Sequence, residues 1–274
     1  GITMLYTTKY LTDKDGNTFT TLLGGNKNKI NSKWGYNSNL LESLDCFLAA
    51  SKLKLKEEEI KGFGREGIKV PVPVISPTAY ATIKDYEIRP TAIMITLALK
   101  EGKEINKLIN SVRSNMRKHK INKFADELML MDNPYDRRTT NRLSKYAHDG
   151  CPNDLFYFGY KEHDPKFGDH YHLVLVFDKS YSARTIHECF VQSKDKFLTD
   201  HPHASNGDKR FSSVKKGSKI KEYALHSQSE EAFKHFVYVC KEKTKETLTS
   251  QPACNIRLSD YKKIASKKNE NCIF

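Results

Sequence analysis

Residues 162–177 read EHDPKFGDHYHLVLVF, and this stretch decides the fold. Its second half, from His170 to Phe177, is rich in aliphatic, β-branched and aromatic residues, which is typical of a buried strand. Asp164-Pro165 and Gly168-Asp169 supply turn chemistry just before that strand. The stretch therefore predicts a β-hairpin whose second strand lies inside an antiparallel sheet.

The predicted hairpin carries three side chains that can bind a metal ion. Strand side chains alternate between faces, so His170 and His172 point the same way, roughly 6–7 Å apart along the chain. Glu162, at the end of the preceding strand, can return to this pair across the turn. Two imidazoles and a carboxylate with open coordination positions suit a divalent ion that also touches a substrate. The alternative is a structural pair, with one histidine capping the turn and the other satisfied in the core.

A helix near the C-terminus follows from a second pattern. Apolar residues recur at i, i+3, i+4 and i+7, which is one stripe of a helix, at Phe233, Phe236, Val237 and Cys240. Ser227 followed by Glu230 fits a capping box at the start of this helix. The stripe predicts that the helix packs on the sheet.

Tyr238 and Lys241 fall off the apolar stripe and are three positions apart, so both should lie on one neighbouring helix face. A phenol beside a metal ion is a good nucleophile towards a phosphodiester. A nearby ammonium adds to the stabilisation of charge or orients the phosphate. The alternative is an amphipathic tyrosine at a helix–sheet boundary and a solvated lysine.

The motifs together, in this order, resemble one family, the HUH single-strand endonucleases that initiate rolling-circle replication. They are Glu-x7-His-hydrophobe-His and a helical Tyr-x-x-Lys, preceded by an apolar strand at residues 92–99 around Thr96-Leu97. The resemblance spans roughly residues 90–250 and is closest to the initiators of filamentous phages and related prophages. It implies a ferredoxin-like or RRM-like core. It also implies Mg²⁺ or Mn²⁺ held by Glu162, His170 and His172, with Tyr238 as nucleophile and Lys241 as its helper.

The resemblance further implies sequence-specific nicking and joining of single-stranded DNA at the replication origin of a phage or plasmid, where the origin can be a hairpin. The intermediate is a 5′-phosphotyrosine, and a polymerase extends the released 3′-hydroxyl. Lys234 and Glu242 stand four positions either side of Tyr238, so the chain resembles the single-tyrosine members. Three alternatives remain: a single-tyrosine transposase, a relaxase, or a non-catalytic DNA-binding regulator. Relaxases often use a third histidine, but His163 should face away from the cluster.

Other sequence patterns exclude a nucleotide cofactor. Residues 62–67 match Gly-x-Gly-x-x-Gly, but a charged segment precedes them and a proline-broken run follows, so the strand and helix that dinucleotide binding requires are missing. No phosphate-loop motif occurs either, so the open origin must come from a separate helicase or from DNA that is already single-stranded in a hairpin or supercoiled origin.

Charge predicts a phosphate-backbone partner. Lys and Arg number 46 against 33 acidic residues, a formal net charge of +13. A basic, loop-rich stretch just before the tyrosine helix is the expected DNA track, and Phe211 could stack on a base. The expected DNA-binding residues are Lys209, Arg210, Phe211, Lys215, Lys216, Lys219 and Lys221. The alternative is a solvated loop.

At 274 residues the chain can form one sizeable core with a small accessory region. We expect an N-terminal accessory region at 1–75, an endonuclease domain at 90–250 and a basic tail at 251–274. Six cysteines without a Cys-x-x-Cys pair argue against a zinc ribbon or a disulfide scaffold. No apolar run approaches membrane-spanning length, so we expect no membrane partner and a cytoplasmic location in a bacterial host.

The expected fold class is α+β, an antiparallel sheet with flanking helices. Strands are predicted at 92–99, 155–163, 170–177 and 210–214. Helices are predicted at 38–60, 102–118, within 122–147, at 182–198 and over the tyrosine segment. A hairpin is predicted around 14–17, and an extended connector at 70–77.

Overall fold

The chain adopts an α+β fold built on an antiparallel sheet, which confirms the expected class. The structure is a computed structural model and describes residues 38–60, 68–71, 80–83, 89–129, 155–202, 210–212, 220–241 and 252–259. Its helices are α1 (Ser38–Ile60), α2 (Ile105–Met129), α3 (Ala183–Val191), α4 (Lys194–Phe197) and α5 (Ser229–Phe236), and a 3₁₀ turn (Val237–Cys240) follows α5. Its strands are β1 (Ile68–Pro71), β2 (Tyr80–Ile83), β3 (Pro90–Leu97), β4 (Phe156–Asp164), β5 (Gly168–Asp178), β6 (Phe211–Ser212), β7 (Tyr223–Ala224) and β8 (Ala253–Cys254).

Strand β5 is the centre of a six-stranded sheet. It pairs antiparallel with β3 on one side and with β4 on the other, and β8 continues the sheet beyond β4. The short strands β6 and β7 both pair with the outer edge of β3, near its Leu97 end and its Thr91 end respectively. The strands predicted from the apolar runs are therefore confirmed, and β4 and β5 form the predicted hairpin.

The two faces of the sheet pack against different helices. We call the face that carries Ala92, Phe158, Val174 and Val176 the metal face, and α1, α5 and the 3₁₀ turn cover it. The opposite side, the apolar face, packs against α2, α3 and α4. It carries Ile93, Ile95, Leu97, Tyr157, Leu173, Leu175 and Phe177. Along β5 the residues alternate strictly between these two faces, as strand geometry requires.

Helix α1 belongs to the same core as the sheet. Its leucines are buried at Leu41, Leu44, Leu48 and Leu55. Phe47 stacks on Phe158 of β4, with ring centroids 5.3 Å apart. The Sγ of Cys240, in the 3₁₀ turn, donates to the carbonyl oxygen of Leu40 at 3.4 Å. Residues 38–60 thus support the sheet and the tyrosine segment, while residues 1–37 lie outside the described residues.

Several local predictions are corrected. The helix expected at 182–198 is split into α3 and α4 by a turn at 192–193, and α2 runs past its expected end. The expected connector includes strand β1, which pairs with β2. The prediction of a capping box that starts at Ser227 is wrong. The N-cap of α5 is Gln228, and its side chain makes no capping hydrogen bond. The predicted hairpin around 14–17 and residues 130–154 lie outside the described residues.

Candidate metal centre

Glu162, His170 and His172 converge at one end of the metal face. Glu162 and His170 are directly opposite each other in the β4–β5 register. Glu162 Oε2 lies 3.4 Å from His170 Nε2 and 3.3 Å from His172 Nε2, and the two imidazole nitrogens are 3.2 Å apart. Among the described residues, this is the only group of His, Cys, Asp or Glu side chains able to share one ion.

The donor set fits a divalent ion. An ion with bonds of about 2.0–2.2 Å to nitrogen and oxygen, at right angles, holds neighbouring ligand atoms about 3 Å apart. The three observed separations are close to that spacing. All three side chains are buried, with Glu162 only 1% exposed. Because they offer three ligand atoms, an ion bound here would have further positions for water or a substrate.

A contact from β3 and its burial both favour His172 as a metal ligand. Its Nδ1 lies 2.9 Å from Thr96 Oγ1 on β3, and in the tautomer that donates this bond Nε2 keeps its lone pair for an ion. Burial lowers the pKa of His172 below its ordinary value, although Glu162 acts in the opposite direction. Gly159 permits the close approach of β4 here, since a Cβ at that position would lie 2.0 Å from the carbonyl oxygen of His172.

Tyr238 and Lys241 lie over the triad of Glu162, His170 and His172. They do so from a 3₁₀ turn and not, as predicted, from one face of an α-helix. Residues Val237–Cys240 form a 3₁₀ turn, in which side chains at i and i+3 are eclipsed, and Lys241 is the extended residue that ends it. Lys241 Nζ donates to the Tyr238 hydroxyl at 2.9 Å and lies 3.3 Å from Glu162 Oε2. The Tyr238 ring packs edge-on to His172, with centroids 5.0 Å apart. One carboxylate oxygen therefore links the phenol–ammonium pair to both imidazoles.

Two residues near the triad were missed by the sequence interpretation. His201 is buried and stacks on His170, with centroids 4.6 Å apart and ring planes 28° apart. Phe167, in the hairpin turn, packs against His201 at 6.3 Å between centroids. No spacing motif marks His201, because it lies in an irregular segment after α4 and meets the hairpin only through the fold.

Two other candidates lie away from the triad. His163 is exposed and its Nδ1 lies 2.8 Å from Asp169 Oδ1, which confirms that it faces away from the ligand set. Tyr223 is on β7 opposite Ala92, four residues along β3 from Thr96, which is roughly 13 Å of strand. Its hydroxyl lies 2.8 Å from His235 Nδ1. Of the two tyrosines, Tyr238 is therefore the one that the fold brings to the ligand set.

The structure describes only the ends of the expected basic track. Arg210 forms ion pairs with Asp195 and, at 4.0 Å, with Asp200, and Phe211 pairs with Leu97 of β3 near the triad. Lys221 is exposed, and its Nζ lies 5.6 Å from the centroid of the Tyr223 ring, at the far end of β3. Lys209, Lys215, Lys216 and Lys219 lie outside the described residues.

Comparisons with known proteins identify no relative of this chain. No family model, no curated protein and no solved structure matches it. Among the described residues, no helix is long and apolar enough to cross a membrane.

Proposed function

We propose that this chain is a metal-dependent nicking and joining enzyme for single-stranded DNA that initiates rolling-circle replication of a phage or plasmid. The observation that carries the proposal is the position of the Tyr238 hydroxyl. It lies 2.9 Å from Lys241 Nζ, which itself lies 3.3 Å from a carboxylate oxygen shared with both histidines. A nucleophile, a cation and a metal-ligand set thus occupy one site. The motif resemblance supports this reading independently of the geometry.

The charges at the site favour a phosphodiester as the substrate. A divalent ion brings two positive charges to Glu162, and Lys241 adds a third against the single carboxylate. Such a cluster, with its charged groups mostly buried, is strongly unfavourable until an anion enters it. A phosphate oxygen supplies that negative charge and can contact the ion and the ammonium together. The site is therefore suited to the scissile phosphate of a nucleic acid strand.

Each residue has a defined part in the proposed reaction. A bound Mg²⁺ or Mn²⁺ would polarise the phosphate oxygens. Tyr238 Oη forms a bond to phosphorus as the bond from phosphorus to the 3′ oxygen breaks, and that oxygen leaves with a proton from water. Lys241 donates to the phenolic oxygen and favours negative charge on it as the phenol loses its proton to solvent. The product is a 5′-phosphotyrosine, which a later 3′-hydroxyl attacks to rejoin the strand without ATP.

A covalent-adduct assay tests the proposal. Wild-type protein, Mn²⁺ and a pool of single-stranded oligonucleotides of random sequence should give an adduct on denaturing gels. A label on the 3′ end should travel with the protein, since the tyrosine takes the 5′ phosphate. Tyr238→Phe should bind DNA but form no adduct, and Tyr223→Phe, a buried tyrosine at the far end of β3, should behave as wild type.

The same assay separates the alternatives. DNA binding without any adduct at any Mn²⁺ concentration would contradict the proposed enzymatic activity and favour the alternative of a DNA-binding regulator. An undiminished adduct in Tyr238→Phe would move the nucleophile to another residue. Sequencing the DNA trapped by the wild-type protein would give the recognition sequence, and its position at an origin or at a mobile-element end would separate an initiator from a transposase or relaxase.

A further inference from the structure

Phe167 is the one large hydrophobic side chain that the described residues leave exposed. It is 42% exposed, at the tip of the β4–β5 hairpin. The metal chemistry and the nucleophile need no aromatic ring at this position. Its place in the hairpin that carries the three metal ligands suggests a contact with the substrate.

Hydrogen bonds order the backbone of the turn around Phe167. Asp164 Oδ1 accepts hydrogen bonds from the backbone N–H of Lys166 at 2.8 Å and of Phe167 at 3.1 Å. Gly168 follows with a φ of 86°, a conformation that a glycine adopts without strain. A ring whose backbone is already ordered loses little conformational entropy when a ligand stacks on it.

The Phe167 ring is also connected to the metal ligands. It packs against His201, with ring planes 76° apart, and His201 stacks on His170. The pair Asp164–Gly168 closes the hairpin two residues beyond the pair Glu162–His170, a distance of roughly 6–7 Å along the strand. A nucleotide next to a phosphate at the metal centre can therefore reach the ring.

Charges in the turn favour a nucleic acid strand over an apolar partner. Lys166 Nζ lies 5.1 Å from the centroid of the Phe167 ring, so a cation accompanies the aromatic surface. The neighbouring carboxylate of Asp169 is engaged by Lys161 at 2.9 Å and by His163. An aromatic ring beside a cation matches a base and its phosphate.

We propose that Phe167 is a stacking platform for an unpaired base adjoining the bound phosphate, and that Lys166 contacts the phosphate of that nucleotide. This proposal rests on the proposed function for its substrate class, single-stranded nucleic acid. It adds a subsite that selects unpaired strands, because both faces of a base within a duplex are covered by its neighbours in the stack.

Binding measured in EDTA, where no cleavage can occur, tests the platform. The probe is a fluorescein-labelled single-stranded DNA of mixed sequence, followed by fluorescence anisotropy. Phe167→Ala should raise Kd about 5- to 150-fold, the equivalent of about 1–3 kcal/mol for one stacked base. Phe167→Trp should restore binding, and the duplex form of the same DNA should bind Phe167→Ala and wild type equally.

Lys166 has a matched control in Lys179, an exposed lysine in the turn at the other end of β5. Lys166→Ala should reduce the slope of log K against log salt by about 0.7, the value for one phosphate contact on a single strand. Lys179→Ala should leave the slope unchanged. Equal slopes in all three proteins would overturn the phosphate contact.

The outcomes separate this proposal from the proposed function. A wild-type protein that forms the adduct, together with an unchanged Kd in Phe167→Ala, would overturn the platform alone. Wild-type protein that neither binds single strands nor forms an adduct would overturn both. Loss of single-strand and duplex binding together, or no recovery in Phe167→Trp, would give Phe167 a structural role and overturn the platform. Photocrosslinking wild-type protein to an oligonucleotide that carries 5-iodouracil should label a peptide that contains Phe167, and it tests the contact without any variant.

Discussion

The two faces of strand β5 differ in what they do for the molecule. On the apolar face, Leu173, Leu175 and Phe177 are all fully buried against α2, α3 and α4. On the metal face, Val174 and Val176 are equally buried, but the next residues towards the hairpin turn are His172 and His170. On one side, therefore, the strand supplies apolar packing along its length. On the other side, the apolar residues are followed by the two candidate metal ligands. The site lies where apolar packing on the metal face ends.

The two faces also differ in the charged side chains that they bury. Glu162 and Lys241 are 1% and 8% exposed, and burying such charges costs free energy that their mutual contact offsets only in part. None of the apolar-face residues named above carries a charge. We infer that the apolar packing on both faces holds these buried charged residues in an arrangement that they would not keep alone.

The largest expected effect comes from removing both imidazoles. In the double variant His170→Ala and His172→Ala, two of three ligands are lost, so Mn²⁺ binding should disappear along with Mn²⁺-dependent adduct formation. The free energy of unfolding without metal should fall less than for loss of a core leucine. Titration calorimetry with Mn²⁺ checks the first expectation. An unchanged binding isotherm would show that the ion is held elsewhere.

The opposite result is expected on the apolar face, three residues along β5 from His172. Leu175→Ala should lower the free energy of unfolding by about 2–5 kcal/mol, because it leaves a cavity under α2 and α3. Where the variant is folded, its Kd for Mn²⁺ should equal that of wild type. Leu175→Met keeps most of the volume and should cost less than about 1.5 kcal/mol. Urea denaturation measures both, and a weakened Mn²⁺ affinity in folded Leu175→Ala would mean that the two faces are coupled.

A smaller effect is expected from the contact between β3 and the ligand set. Thr96→Val keeps the shape of the side chain but removes the oxygen 2.9 Å from His172 Nδ1. Losing a partner of this kind typically costs 10- to 100-fold in metal affinity, so we expect Kd for Mn²⁺ to rise by about that factor. Thr96→Ser keeps the oxygen and is the control. Equal Mn²⁺ affinity in Thr96→Val and wild type would show that His172 needs no fixed tautomer.

The smallest effect is a pH dependence from a histidine of α5, outside the ligand set. Burial, and to a lesser extent Lys221, lowers the pKa of His235 below its ordinary value of 6.5. The unfolded chain therefore binds this proton at a higher pH than the folded chain does. The free energy of unfolding should rise with pH through the window just below 6.5 and level off above it.

His235→Gln removes the titrating ring and keeps an acceptor for the Tyr223 hydroxyl. The rise in the free energy of unfolding between about pH 5 and pH 7 should become shallower in this variant. Urea denaturation at several pH values measures the slope, and an identical slope in both proteins would assign the pH dependence to other groups.

The sequence predicts the hairpin and the ligand set because their signals are local. Alternation along His170–Phe177 and the turn chemistry before it fix which side chains share a face. The register of the hairpin then places Glu162 opposite His170. Helical periodicity likewise places Tyr238 and Lys241 on one side, although the segment is a 3₁₀ turn. The apolar stripe cannot distinguish an α-helix from a 3₁₀ turn, because it would be buried in both conformations. The stripe includes Phe233, Phe236 and Val237.

The rest of the site depends on contacts that no local pattern encodes. His201 reaches His170 from a segment without regular spacing, and α1 reaches the tyrosine turn from the other end of the sequence. The periodicity of α1 predicts that it is a helix with an inward face, but not which surface that face meets. No sequence pattern marks Phe167, the proposed stacking residue, either, because a single exposed phenylalanine in a turn has no periodicity.

The bond from Cys240 to Leu40 joins residues 200 positions apart in the chain. During synthesis α1 leaves the ribosome long before the turn that it supports, and Tyr238 emerges after every metal ligand. A growing chain can form the β4–β5 hairpin early, since that contact is local. Tyr238, the proposed nucleophile, arrives late in the chain, so under the proposed function an incomplete chain that holds the metal ligands would still lack the residue that cuts DNA.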